Sequence, residues 1–194
     1  MTTPRRRASR PAPAPEPLDK LYNRPGFMLR RAHQIASSLF SDQVGELGAT
    51  PSQYGVLWML RSRPNLDQIG LARLMGLDRS TTGLVVQKLE SAGFVRRRND
   101  AVDGRRKVLE LTKSGAEMLE SLADPAQRAH DLVLSAFTPR EAEQFLALLG
   151  KFLSAFNARI RTPILPEDQA LRSSERAPGH PVRKKRRGQA LSAG

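Results

Sequence analysis

A mainly α-helical fold carrying one β-hairpin is predicted, on three observations. Apolar residues recur at helical spacing over most of residues 27–92 and 113–160, between residues suited to start and stop helices. One stretch, residues 94–111, breaks that period and alternates instead around a polar tip. The two ends, 1–20 and 162–194, have little apolar material to bury and are expected to be basic, disordered tails.

The first helix is expected from Phe27 to Leu47, with Met28, Ala32, Ile35 and Leu39 on its apolar stripe and Gly48 as its stop. Thr50-Pro51-Ser52-Gln53 is a capping box with proline at the first helical position. The helix it opens holds Tyr54, Leu57, Trp58 and Leu60 and ends before Pro64. Asn65 can cap a short helix over 66–75, closed by Gly76, and Asp78 caps another running to Ala92, closed by Gly93. Two helices joined by a tight glycine turn are the outline of a helix-turn-helix.

Phe94 to Arg98 and Lys107 to Leu111 then read as two short strands. This hairpin holds six basic and three acidic residues between Gly93 and Thr112. A basic hairpin straight after a helix-turn-helix makes a winged helix, whose second helix enters the DNA major groove while the wing reaches an adjacent groove. Thr112 caps a further helix reaching Phe137, with a kink at Pro125. Thr138-Pro139-Arg140-Glu141 is a second capping box, opening a helix with Phe145, Leu148, Leu149, Phe152, Phe156 and Ile160. A winged helix has its own small core, so the long flanking helices are expected to bury their stripes against a second copy. The chain thus divides into a tail (1–20), a first dimerisation helix (21–49), a DNA-binding domain (50–112), further dimerisation helices (113–161) and a second tail (162–194).

Charge and composition agree. The 194 residues carry 32 Lys+Arg against 19 Asp+Glu, a formal net charge of +13, of which residues 21–161 keep +6. Such a surplus points to a polyanion, nucleic acid first. Zero cysteines exclude disulfides, cysteine metal sites and thiol nucleophiles. With no apolar export segment, the chain is expected in the cytoplasm. No phosphate loop, dinucleotide fingerprint, zinc-protease motif or nucleophile elbow is present, and the three histidines are scattered. No enzyme activity, metal or cofactor is therefore expected.

In the recognition helix, Ser80, Thr81 and Thr82 occupy the first turn, where hydroxyls and backbone N–H groups meet phosphates. If Leu84, Val85 and Leu89 point to the core, then Gly83, Val86 and Gln87 face outward. Gln87 suits adenine and Val86 the thymine methyl. Arg79, Lys88 and Arg106 are candidate phosphate contacts.

The run LDQIGLARLMGLDRSTTGLVVQKLESAGFVRRR, followed by DAVDGRRKVLELTKSG, resembles the MarR family of bacterial winged-helix regulators. The family's wing signature, Asp-x-Arg ending in Leu-Thr, matches Asp103-Gly104-Arg105 and Leu111-Thr112. The likeness spans about residues 24–161 and departs from the family pattern at Gly83, where a larger polar residue is common. It implies a homodimer with intertwined terminal helices on a pseudo-palindromic double-stranded DNA operator. It further implies a repressor of a catabolic, efflux or stress operon, released by a small-molecule effector. Arg105 corresponds to the wing arginine that enters the minor groove, and Asp103 would hold it by an ion pair. Similar proteins take aromatic acids or phenols in a crevice between the dimer helices and the winged domain. Here that crevice would be lined by Phe27, Arg30, Arg31, His33, Tyr54 and Trp58. The competing reading is an architectural protein that coats DNA without sequence preference.

Overall fold

Five helix starts are fixed by side chains. Thr50 and Thr138 each close a full capping box, with Gln53 and Glu141 as the reciprocal partners. Asp67, Asp78 and Thr112 each accept a hydrogen bond from the backbone N–H three residues on. These caps satisfy amide groups that the first helical turn leaves without partners.

A computed structural model describes residues 17–101 and 103–166. Its helices are α1 (Asp19–Tyr22), α2 (Pro25–Val44), α3 (Pro51–Ser62), α4 (Gln68–Met75) and α5 (Arg79–Ser91), then α6 (Lys113–Ser121), α7 (Ala123–Leu134) and α8 (Pro139–Phe156). Strands β1 (Val95–Asn99) and β2 (Lys107–Leu111) stand between α5 and α6. They pair antiparallel, with Val95 opposite Leu111 and Asn99 opposite Lys107. Among the described residues no helix is long and apolar enough to cross a membrane.

Several boundaries differ from expectation. The first helix runs from Pro25 to Val44 with Gly45 as its C-cap, and Gly48 closes a separate 3₁₀ turn over Gly45–Leu47. Asp67, not Asn65, caps α4, and Asn65 instead takes a left-handed backbone at φ 66°. The Leu66 carbonyl between them accepts the Leu109 N–H at 2.7 Å, so this segment lies along the edge of β2. The expected kinked helix over 112–137 is two helices, divided at Leu122. Pro125 sits in the first turn of α7, where its missing N–H costs no ladder bond. Residues 17–20 and 162–166 were expected in the tails. Asp19 and Lys20 lie in α1, and Leu165 donates its N–H to the Arg73 carbonyl at 3.2 Å. The remainder of both tails lies outside the described residues.

The core is built on α3, α4, α5 and the hairpin. Leu57, Leu60, Leu66, Leu71, Val86, Leu89, Val95 and Leu109 join in one buried cluster with Leu119 and Leu122 from α6 and its end. Phe40 and Val44 of α2 and Ala129 of α7 extend it, and α2 packs along α7. By contrast, α8 has no buried residue.

Candidate nucleic-acid interface

Asp78 organises the start of the recognition helix α5. One carboxylate oxygen accepts the Thr81 N–H at 2.8 Å and the other accepts the Thr81 hydroxyl at 2.7 Å. These bonds, the backbone one first, hold the Asp78 carboxyl below its ordinary range. Thr82 donates its hydroxyl to the Asp78 carbonyl at 2.8 Å and is fully buried.

The inward face of α5 is therefore Thr82, Val86 and Leu89, an i, i+4, i+7 series. Two expected contacts are corrected on this ground. Val86 is 0% exposed and packs in the core, and the Thr82 hydroxyl is turned inward, so neither reaches a base or phosphate. Leu84, expected inside, is instead 61% exposed. The outward face is Arg79, Ser80, Leu84, Gln87 and Lys88, with Thr81 half-exposed and tied to Asp78. At Gly83 a Cβ would stand 3.2 Å from the Gln68 side-chain nitrogen, so α4 crosses α5 closely there. That nitrogen is the movable end of a flexible side chain, so a methyl group there needs only a slight shift of Gln68.

The wing sorts its cations into two groups. Arg96 and Arg98 both pair with Glu110 at 3.1 Å, and Arg97 pairs with Glu90 of α5 at 2.9 Å. The Arg96 hydrogen bond is the largest cause holding the Glu110 carboxyl below its ordinary range. Arg97 thereby ties β1 to the recognition helix. Arg106, expected on a phosphate, is turned inward: its Nε lies 3.2 Å from the Asp67 carboxylate, and its Nη1 lies 3.9 Å from that of Asp100. Its guanidinium braces the wing base against the cap of α4, through the buried Asp67 carboxylate.

At the tip, Asp103 accepts the Arg105 backbone N–H at 3.0 Å, and its own N–H bonds the Asp100 side chain at 3.1 Å. The expected Asp103–Arg105 ion pair is replaced by this turn-forming bond. Asp103 still positions Arg105, through the backbone. Arg105 is exposed and makes no side-chain ion pair among the described residues. The outward charge of the hairpin is thus concentrated at Arg105 and Lys107.

A separate crevice of about 340 Å³ opens between α2, the start of α3 and α7, walled by Phe40, Tyr54, Ala129 and Val133. His33 and Tyr54 line it, as expected, and His130 joins them from α7. His130 is 97 positions from His33 in sequence, so only the packing of α2 on α7 brings the two imidazoles to one crevice. Four expected lining residues lie elsewhere. Arg30 stacks over the Phe27 ring at 4.8 Å, and Phe27 meets Tyr22 at 5.3 Å, near the start of α2. Arg30 and Arg31 both donate to the Gln34 side chain, at 3.1 and 3.2 Å. Trp58 lines a different hollow with Met59, Ser62, Arg63 and Leu74, about one turn further along α3 than Tyr54.

Known proteins share this fold. A family model described as the MarR family matches residues 49–107, from just before α3 to the end of the wing turn. The transcriptional repressor NicR of Pseudomonas putida is 27% identical over 74% of this chain and 93% of its own length. The transcriptional regulator YybA of Bacillus subtilis is 30% identical, covering 65% of this chain and 81% of its own. The crystal structure of the PcaV transcriptional regulator of Streptomyces coelicolor, in complex with its natural ligand, superposes with a TM-score of 0.65. It is 32% identical and covers 73% of this chain and 98% of that one. With its helix-turn-helix, its Asp103-Gly104-Arg105 wing and relatives matched over most of their length, the chain belongs to the MarR family of winged-helix transcriptional regulators.

Proposed function

We propose that the protein is a homodimeric repressor that reads a pseudo-palindromic operator and is released by a small aromatic acid. It would control a catabolic, efflux or stress operon. One observation carries the DNA half: Arg105 stands exposed at the wing tip while Arg96, Arg97, Arg98 and Arg106 are paired within the chain. A lone outward guanidinium beside a recognition helix suits the narrow, electronegative minor groove of an A·T tract. Gln87 and Leu84 on the exposed face of α5 supply an adenine-reading amide and a thymine-methyl contact. Arg79, Ser80, Thr81 and Lys88 hold the phosphates.

Footprinting on genomic fragments is expected to show a protected palindrome with half-sites about one helical turn apart. Arg105→Ala should weaken binding to that site by about 1–3 kcal/mol and relax sequence preference next to it. Uniform coating of any duplex, with Arg105→Ala inert, would instead establish the architectural reading.

The crevice supports the effector half. An aromatic ring can lie against the packed Phe40–Tyr54 pair, whose centroids are 5.8 Å apart, and the two histidines offer donors to a carboxylate. A screen of hydroxybenzoates and pyridine carboxylates by thermal shift is expected to find ligands that stabilise the DNA-free protein and compete with operator. His130→Ala should abolish that stabilisation without changing operator affinity in the absence of ligand. Ligands that bind His130→Ala as tightly as the parent would place the effector elsewhere.

A further inference from the structure

After α8 the chain makes a 3₁₀ turn over Asn157–Arg159 and returns across the helix-turn-helix as an extended strap. Asn157 closes the loop: its side-chain amide donates to the Ile164 carbonyl at 2.7 Å and accepts the Ile164 N–H at 2.9 Å. Leu165 caps the open Arg73 carbonyl near the end of α4. Ile164 lies directly on Gly76 in the helix-turn-helix turn, where a Cβ would come within 2.7 Å of the Ile164 Cγ1. The turn glycine thus has two roles, its left-handed backbone at φ 63° and its room for the strap.

Strap and helix-turn-helix enclose a cleft of about 720 Å³ lined by Ile69, Arg73, Leu77, Arg79, Arg161 and Pro163 among others. Three arginines therefore line one space, and none of them forms an ion pair among the described residues. Guanidinium N–H groups without a carboxylate partner are natural donors to an oxyanion. Asp78 is the carboxylate on the rim, but both of its oxygens are already bonded to Thr81. The 13-residue helix α5 also starts at this cleft, adding the positive end of its dipole.

We propose that the cleft is an anion site that takes a phosphate-class oxyanion on Arg73, Arg79 and Arg161. The oxyanion can come from the operator backbone or from a free phosphorylated small molecule. The site is separate from the histidine crevice and does not depend on the effector reading.

The test uses the full chain with inorganic phosphate as the probe, against chloride at matched ionic strength. Phosphate at tenfold excess over its dissociation constant is expected to raise the melting temperature of the DNA-free protein by roughly 3–6 °C. Arg161→Lys should keep part of that rise and Arg161→Ala should lose it. Arg161 is exposed on the strap, so neither change disturbs the core. A second arm separates the sources. If the operator supplies the phosphate, Arg161→Ala makes the salt slope of binding shallower by about 0.9. If a free anion does, the slope is unchanged, and added phosphate alters operator affinity in the parent but not in Arg161→Ala. Equal phosphate responses in the parent and Arg161→Ala overturn the proposal, whatever the footprint shows.

Discussion

Leu148→Glu is expected to turn a dimer into a monomer that no longer protects a full operator. The reasoning starts from α8, an 18-residue helix with no buried residue. Leu148 is 67% exposed and Leu153 58%, while Phe152 and Phe156 each leave 43% open to solvent. Met28 and Ile35 of α2 and Leu132 of α7 are likewise uncovered. An apolar area of this kind on a water-soluble helix calls for a partner, and a second copy presents the same face through a two-fold axis. Burying a leucine side chain contributes about 1.5–3 kcal/mol. The symmetry counts each substitution twice, so about 3–6 kcal/mol is lost before any cost of burying the new carboxylates. The dimer dissociation constant should rise by roughly two to four powers of ten. Sedimentation equilibrium reads this directly. Footprinting should then show only weak, half-site protection. A variant that dimerises as tightly as the parent would move the seam off this face of α8.

Local chemistry was the most legible part of the sequence. Thr50, Asp78, Thr112 and Thr138 cap the helices expected of them because a cap needs only a side-chain oxygen and three following residues. The hairpin followed from alternation alone, and its register places Val95 opposite Leu111. What was misread depends on contacts distant in sequence. Asn65 lost the cap of α4 to Asp67, since the chain there turns to lay Leu66 against β2. Leu84 and Val86 exchanged faces because either can fill an apolar position. The buried Thr82 settles the phase. Arg105 and Arg106 are adjacent and alike in chemistry, but only Arg106 has carboxylates from α4 and the turn within reach. His130 and the strap over Gly76 belong to the same class, being products of packing that no local pattern announces.

Gly115→Ala is expected to be strongly destabilising, although it adds a single methyl group. In most helices replacing glycine by alanine adds up to about 1 kcal/mol of stability. Gly115, however, is buried in the first turn of α6, with its N–H bonded to the Thr112 hydroxyl at 3.0 Å. A Cβ there would stand 2.0 Å from the Phe94 carbonyl oxygen and 2.9 Å from the Leu111 Cδ1. No rotamer change relieves a clash with backbone. The Phe94 carbonyl also accepts the Thr112 N–H at 3.1 Å, and the Gly93 carbonyl accepts both the Thr112 and Ser114 hydroxyls, at 2.7 and 3.0 Å. Moving Phe94 away therefore breaks the stitch between the wing and α6. Overpacking with loss of such bonds costs about 3 kcal/mol or more. Thermal unfolding at fixed protein concentration should show a fall of roughly 6–12 °C. Gly26→Ala serves as the control, since a Cβ at that helical position meets nothing within 4 Å. Its melting temperature should match or slightly exceed that of the parent. The operator response should separate the two variants as well, because Phe94 leads directly into β1 and so sets where the Arg105 tip lies relative to α5. A Gly115→Ala protein as stable as Gly26→Ala would mean that α6 does not press on the wing.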